Sequence, residues 1–222
     1  MTDRSNLTYH VSFDIDFKKN PYPGKLIVIE GIDGSGKTTQ LNHLVARLIK
    51  EGIPVVAAKE PTVMVIGEFI REKILSGKEE ISPIALQYLF NADRAMHMDQ
   101  IEGFLKEGKT VVMDRYFWSS VAYALADIGE VGDYYLAAFS VLSFYHRFIV
   151  PDSTIYLDIP LPLALERIKK SQKHFEIYDK EEKLKKILAG YQFLREKFPE
   201  QFTVIDASQD SAKITEEIAQ KV

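Results

Sequence analysis

Nine residues near the start of the chain, Gly31-Ile32-Asp33-Gly34-Ser35-Gly36-Lys37-Thr38-Thr39, follow the spacing G-x-x-x-x-G-K-[ST]. The pattern constrains the fold because it works only between a buried strand and the start of a helix. Lys25-Leu26-Ile27-Val28-Ile29-Glu30 is a short apolar run that reads as a buried parallel strand, and Leu41, Leu44, Val45, Leu48 and Ile49 recur at helical spacing beyond the loop. Gly34 and Gly36 let backbone N–H groups turn inward with no Cβ in the way, and the helix start adds its positive end. The run Gly31, Asp33, Gly34, Ser35, Gly36, Lys37, Thr38, Thr39 is therefore a candidate nucleoside-triphosphate cradle. Lys37 would reach the β- and γ-phosphates and Thr38 would place its hydroxyl on Mg²⁺. Thr39 would contact the α-phosphate or cap the helix.

A net charge of −4 argues against a nucleic-acid polymer as partner, since that binding is dominated by neutralising phosphates over a basic face. A mononucleotide needs only local cations. The chain has no cysteine, which excludes disulfides and thiolate chemistry and fits a reducing compartment. No apolar stretch approaches the ~20 residues that span a bilayer. The first residues contain no signal-peptide core, so no membrane is expected and the cytoplasm is the expected location.

Strands are expected at 26–30, 54–58, 110–113, 153–158 and 202–205. Helices are expected at 37–51, 65–76, 82–106, 117–126, 133–147, 161–170, 181–197 and 210–221. Such alternation predicts an α/β fold: a five-stranded, mostly parallel sheet with helices on both faces and ligands at the carboxyl ends of the strands. Residues 25–222 form that domain. Residues 1–24 stand apart, because Tyr9, Val11, Phe13, Ile15 and Phe17 alternate with polar residues as in a strand with one apolar face. The turn-rich Asn20-Pro21-Tyr22-Pro23-Gly24 invites a hairpin with the following strand, but a strand that feeds a phosphate loop is usually central and already flanked. The expectation is an extra N-terminal strand paired at a sheet edge or with a second subunit.

A second constellation closes the strand at 110–113: Asp114-Arg115-Tyr116, then Ser119, Ser120 and Tyr123. An acid at a strand end beside the loop is where Mg²⁺ needs a carboxylate, directly or through water. Arg115 offers a bidentate phosphate donor. On the preceding long helix, Phe90 and Arg94 are four apart and share a face, pairing an aromatic ring with a guanidinium as a grip for a planar base.

Together these residues resemble the thymidylate kinase family of the nucleoside monophosphate kinase group, over about residues 25–222. The resemblance rests on Gly31 to Thr39 with Asp33 inside it, Glu60-Pro61, Phe90-Asn91-Ala92-Asp93-Arg94, and Val112-Met113-Asp114-Arg115-Tyr116 with Ser119, Ser120, Ala122 and Tyr123. It implies ATP- and Mg²⁺-dependent phosphorylation of dTMP to dTDP, and a homodimer. On the matching positions, it implies that Asp33 contacts the sugar 3′-hydroxyl, Phe90 stacks on thymine and Arg94 bonds the base edge. Arg115 would hold the acceptor phosphate in line, Tyr123 would pack under the deoxyribose, and Ser120 and Glu60 belong to the same pocket. Asp114 would orient Mg²⁺-bound water or Arg115. Ala207 and Gln209, in the loop after the last strand, fall where adenine is cradled.

Departures from the family pattern bear on the acceptor and the lid. Pro61-Thr62-Val63-Met64 replaces Pro-Gly-Gly-Thr, and Ala124 stands where glutamine is frequent. No arginine lies between Gly31 and Lys37. The lid, about 169–178, carries lysines, so the closing cation is expected from Lys169, Lys170 or Lys173, or from Arg167 on the helix before it. A kinase for another nucleotide or deoxynucleoside is the alternative enzyme. A P-loop regulatory switch is disfavoured, because it has no need of Asp33, Phe90, Arg94, Arg115 and Tyr123 together.

Overall fold

The computed structural model describes residues 14–127, 134–171 and 177–222. Five strands, β1 (Leu26–Glu30), β2 (Val55–Lys59), β3 (Thr110–Asp114), β4 (Ser153–Asp158) and β5 (Thr203–Asp206), form one sheet in the order β2-β3-β1-β4-β5. Every neighbouring pair is parallel. All five residues of β1 and of β3 are buried, which is why they read as continuous apolar runs instead of alternating ones: helices cover both faces.

The helices are α1 (Lys37–Lys50), α2 (Val65–Phe69), α3 (Pro83–Lys106), α4 (Phe117–Asp127), α5 (Tyr134–Tyr145), α6 (Leu161–Lys170), α7 (Ile177–Lys197) and α8 (Ser211–Ala219). Among the described residues, no helix is long and apolar enough to cross a membrane. The helix expected over 65–76 is instead α2 followed by a wider π-helical turn, Ile70–Ile74, closed by the Leu75 N–H donating to the Ile70 carbonyl at 2.8 Å. The start of α7 lies four residues before the expected 181, because its first turns are charged and carry no apolar periodicity. Helix α4 is buried almost all round, with Phe117 and Trp118 fully enclosed. It meets α7 at Gly190, where a Cβ would lie 2.7 Å from the Ala122 carbonyl oxygen, so only glycine permits this approach.

The expected N-terminal strand, with its alternation over residues 9–17, is described only from Asp14 onward. Residues 9–13 lie outside the described residues. Ile15 and Phe17 do turn inward as the alternation predicts, and Phe17 stacks on Phe117 with ring centroids 6.1 Å apart. The segment from Asp14 to Gly24 joins no edge of the sheet, however. Its pairing is one parallel bridge, Lys18 to Ile149, with Val150 N–H donating to the Lys18 carbonyl at 2.8 Å. Side chains hold the rest: Lys18 Nζ and the Tyr22 hydroxyl both bind Glu102, and Asn20 binds Asp152, which also caps the start of β1 through Leu26 N–H. The arm packs on α4, where Phe17 lies against Phe117 and Trp118, and β1 is already flanked by β3 and β4.

The order β2-β3-β1-β4-β5 reverses direction of winding at β1, and ligands in open parallel sheets bind at the carboxyl ends beside such a point. The phosphate loop leaves β1 there, Glu60 follows β2, Asp114 and Arg115 end β3, and the Asp206–Gln209 loop ends β5.

Candidate active site

Gly34 sits at φ 82°, and a Cβ on it would lie 2.4 Å from the Ala164 carbonyl oxygen of α6, so the loop's path excludes any side chain there. Lys37 is buried, and its ammonium donates to the Ile32 carbonyl at 2.8 Å. Burial pulls its pKa down from 10.5 to about 7, the positive charge of Arg115 adds to that, and the carboxylates of Asp33, Asp114 and Glu30 oppose it. The Thr38 hydroxyl donates to Asp114 Oδ2 at 2.6 Å.

Arg115 has the left-handed φ of 73°, uncommon for a residue with a side chain. That turn at the end of β3 aims the guanidinium at Asp33 Oδ1 (2.7 Å) and Ser119 Oγ (3.1 Å), over the Tyr123 ring at 5.3 Å. Burial pushes the Tyr123 phenol up to about 12 against the pull of Arg115, so it stays neutral. Ser119 is itself fixed by Glu30, the last residue of β1. Glu30 accepts from Ser119 Oγ (2.5 Å), the Tyr191 hydroxyl (2.7 Å) and the Tyr116 N–H (2.9 Å). Burial raises the Glu30 pKa although these donors and Arg115 work to lower it.

Glu60 and Arg94 form a buried pair. Arg94 Nε and Nη2 donate to Glu60 Oε2 at 2.6 and 2.5 Å, while Nη1 donates to Ser120 Oγ (2.8 Å) and the Tyr145 hydroxyl (2.5 Å). The other carboxylate oxygen faces His97 Nδ1 at 3.2 Å. Burial works against the Arg94 charge, but Glu60 holds the guanidinium protonated above its usual range. One of the five N–H groups of Arg94 has no bond among the described residues.

The structure brings all seven expected acceptor residues, Asp33, Glu60, Phe90, Arg94, Arg115, Ser120 and Tyr123, to one cavity of about 250 Å³. Across the loop lies a second cavity of about 250 Å³, lined by Ser35, Gly36, Thr39, Gln40, Arg167, Gln209, Ser211 and Ile214. Gln209 therefore lies beside Ser35, Gly36 and Thr39 of the phosphate loop. Ala207 has its side chain in the core and its N–H on the Asp158 carbonyl (2.7 Å). Of the suggested closing cations, Arg167 lines the second cavity, Lys169 is exposed at the end of α6, and Lys170 pairs with Glu166 at 2.6 Å. Lys173 lies outside the described residues.

Sequence reasoning missed Gln87 and Leu75 on the first cavity wall, and Gln40 and Ser211 on the second. Gln87 had a legible signal: it lies three residues before Phe90, on the same helical face. The support behind the wall left less trace. Asp93 accepts from the Thr62 N–H (2.7 Å) and hydroxyl (2.5 Å), and Arg71 donates to the carbonyls of Pro61 and Thr62. This bracing fixes the altered loop after Glu60.

A hard divalent cation needs oxygen donors, and the adjacent Thr38 hydroxyl and Asp114 carboxylate meet that need beside a phosphate cradle. Among the described residues, no group of three or more His, Cys, Asp or Glu could hold a metal ion.

The family model for thymidylate kinase matches residues 29–218. The probable thymidylate kinase of Thermococcus onnurineus (strain NA1) is 40% identical over 186 residues, covering 78% of this chain and 85% of that protein. Thymidylate kinase of Chlamydia trachomatis serovar D is 35% identical over 184 residues, covering 82% and 90%. Among solved structures, thymidylate kinase from Candida albicans is similar with a TM-score of 0.75 at 26% identity, covering 89% of this chain and 90% of that one.

Proposed function

Because this chain belongs to the thymidylate kinase family, and is a phosphotransferase that takes dTMP to dTDP with ATP as donor, we propose that the two cavities flanking its phosphate loop divide the reaction between acceptor and donor. One observation carries the reading: Asp33 lies on the wall of the first cavity, while Ser35, Gly36 and Thr39 of the same loop line the second. A loop shared between two cavities brings the γ-phosphate of one ligand to the phosphate of the other.

In the first cavity, Phe90 stacks on thymine, Arg94 offers its remaining N–H to a base oxygen, and Asp33 takes the sugar 3′-hydroxyl. Tyr123 packs beneath the deoxyribose, and Arg115 holds the acceptor phosphate. In the second, the backbone of Gly31 to Thr39 and the Lys37 ammonium hold the triphosphate, with Gln209 near adenine. Thr38 and Asp114 would hold Mg²⁺. Bound there, it would neutralise charge shared by the β- and γ-phosphates. The acceptor oxygen is already an anion, so positioning and charge stabilisation suffice and no strong general base is required. Arg167 is favoured over the lid lysines as the closing cation, because it lines the donor cavity and has a planar fork.

The same reading makes the chain a cytoplasmic homodimer. Exposed Val65, Phe69, Tyr88 and Met96 supply apolar surface for a second copy, and the absence of cysteine fits a reducing compartment.

Phe90→Ala is expected to raise KM for dTMP about tenfold, the worth of one stacked base, and to leave KM for ATP within about twofold. Arg167→Ala is expected to do the reverse. If either variant moves both constants equally in steady-state kinetics, the division of cavities is wrong.

Lys37 predicts a proton linkage. Its free-state pKa of about 7 rises when phosphates replace the Ile32 carbonyl as partner. Between the free and bound pKa values, ATP binding therefore takes up a proton, and affinity weakens as pH rises above about 7. Calorimetry at pH ~8 in two buffers of different ionisation enthalpy should show uptake approaching one proton per ATP, and Lys37→Met should abolish it. Equal heats in both buffers would rule out the linkage.

A further inference from the structure

Gln87, Phe90 and Arg94 stand at i, i+3 and i+7 of α3 and all line the acceptor cavity. The Gln87 side-chain oxygen is buried and has no hydrogen-bond partner among the described residues. Leu75 and Pro61, which share this wall, have no side-chain donor to offer. A buried carbonyl without a donor costs free energy, so it calls for a ligand that completes it.

The thymine edge presents two acceptors, O2 and O4, on either side of one donor, N3–H. Arg94 is donor-only and can meet only the oxygens. The other acceptors near the base are engaged: Glu60 by Arg94 and His97, and Ser120 by Arg94 and Tyr145. The N3–H would enter the cavity without a partner unless Gln87 receives it. We propose that Gln87 is a specificity-determining residue whose side-chain carbonyl accepts the N3–H of the pyrimidine base. This rests on the first cavity being the acceptor site. It gives the site a test of N3 itself: thymine and uracil carry a hydrogen there, whereas cytosine carries a lone pair that the carbonyl repels.

Gln87→Met keeps the volume and removes the acceptor. It is expected to raise KM for dTMP about tenfold with kcat within about threefold, while the melting temperature of the ligand-free protein holds or rises. A merely structural glutamine would lower that temperature instead. N3-methyl-dTMP supplies the second readout: the wild-type protein should discriminate against it at least about tenfold, and Gln87→Ala, which opens space there, should shrink that penalty at least about fivefold. The inference is overturned by an unchanged KM for dTMP in Gln87→Met, or by the same N3-methyl penalty in Gln87→Ala and wild type. Phe90→Ala tests the cavity assignment separately, so failure at Gln87 beside success at Phe90 overturns this inference alone.

Discussion

Arg115→Lys is expected to lower kcat for dTMP about a hundredfold and Arg115→Ala about a thousandfold, with KM for ATP within about threefold. Three contacts fix the guanidinium before any ligand arrives: Asp33 at 2.7 Å, Ser119 at 3.1 Å and the Tyr123 ring at 5.3 Å. Such preorganisation stabilises charge during transfer without reorganisation at that moment. Lysine preserves the charge but cannot make two parallel bonds, so the loss in Arg115→Lys isolates the value of the fork. The backbone adds a control. At φ 73°, alanine retains the left-handed strain and glycine releases it. Arg115→Gly should therefore match the alanine variant in lost turnover yet exceed it in stability by about 1 kcal/mol. Steady-state kinetics and thermal melting on the three variants check this, and wild-type kcat in Arg115→Lys would remove Arg115 from its assigned role.

Glu60→Gln is expected to cost about 3–5 kcal/mol of folding stability, a large share of the ~5–15 kcal/mol typical of a domain. The side chains of Arg94 and Glu60 are 3% and 4% exposed, so the Arg94 charge left behind is poorly reached by water and cannot shed its proton. Removing one partner strands the other. Removing both does not: Tyr145, Ser120 and Asn91 still bond to one another, so Glu60→Leu combined with Arg94→Met should recover at least half of the loss. Denaturant unfolding of both single variants and the double variant measures the coupling. A Glu60→Gln loss under about 1 kcal/mol would mean that the pair is not isolated from solvent as its burial indicates.

Much of this molecule was legible because the signals are local. The apolar run before Gly31 and the helical spacing after Lys37 announce β1 and α1, and the other four strands fall within a residue of their expected bounds. Asp33, Phe90, Arg94, Arg115 and Tyr123 stood out as residue types suited to a nucleotide, and they do converge on one cavity. The N-terminal arm was legible in its inward face but not in its partner, since alternation gives a period and says nothing of which surface receives it. Gln87 shares the helical face of Phe90 and Arg94, but a glutamine on a long helix is ordinarily solvated, and the burial of its oxygen is what distinguishes it.

The sequence alone determined the phosphate loop, the parallel sheet and the residue types around the nucleotide, because glycine geometry and apolar periodicity act over a few neighbouring residues. Only the tertiary structure decided that the loop from Gly31 to Thr39 is a partition between two cavities. It also decided that Glu30 holds Ser119, that Ser119 helps hold Arg115, and that Arg167 lines the second cavity. Glu30 and Ser119 lie 89 positions apart and Arg167 more than a hundred from the loop it faces, and these contacts depend on the strand order and on how closely α4, α6 and α7 pack. No local pattern encodes such distances, so the chemistry could be read from the chain while its arrangement had to come from packing.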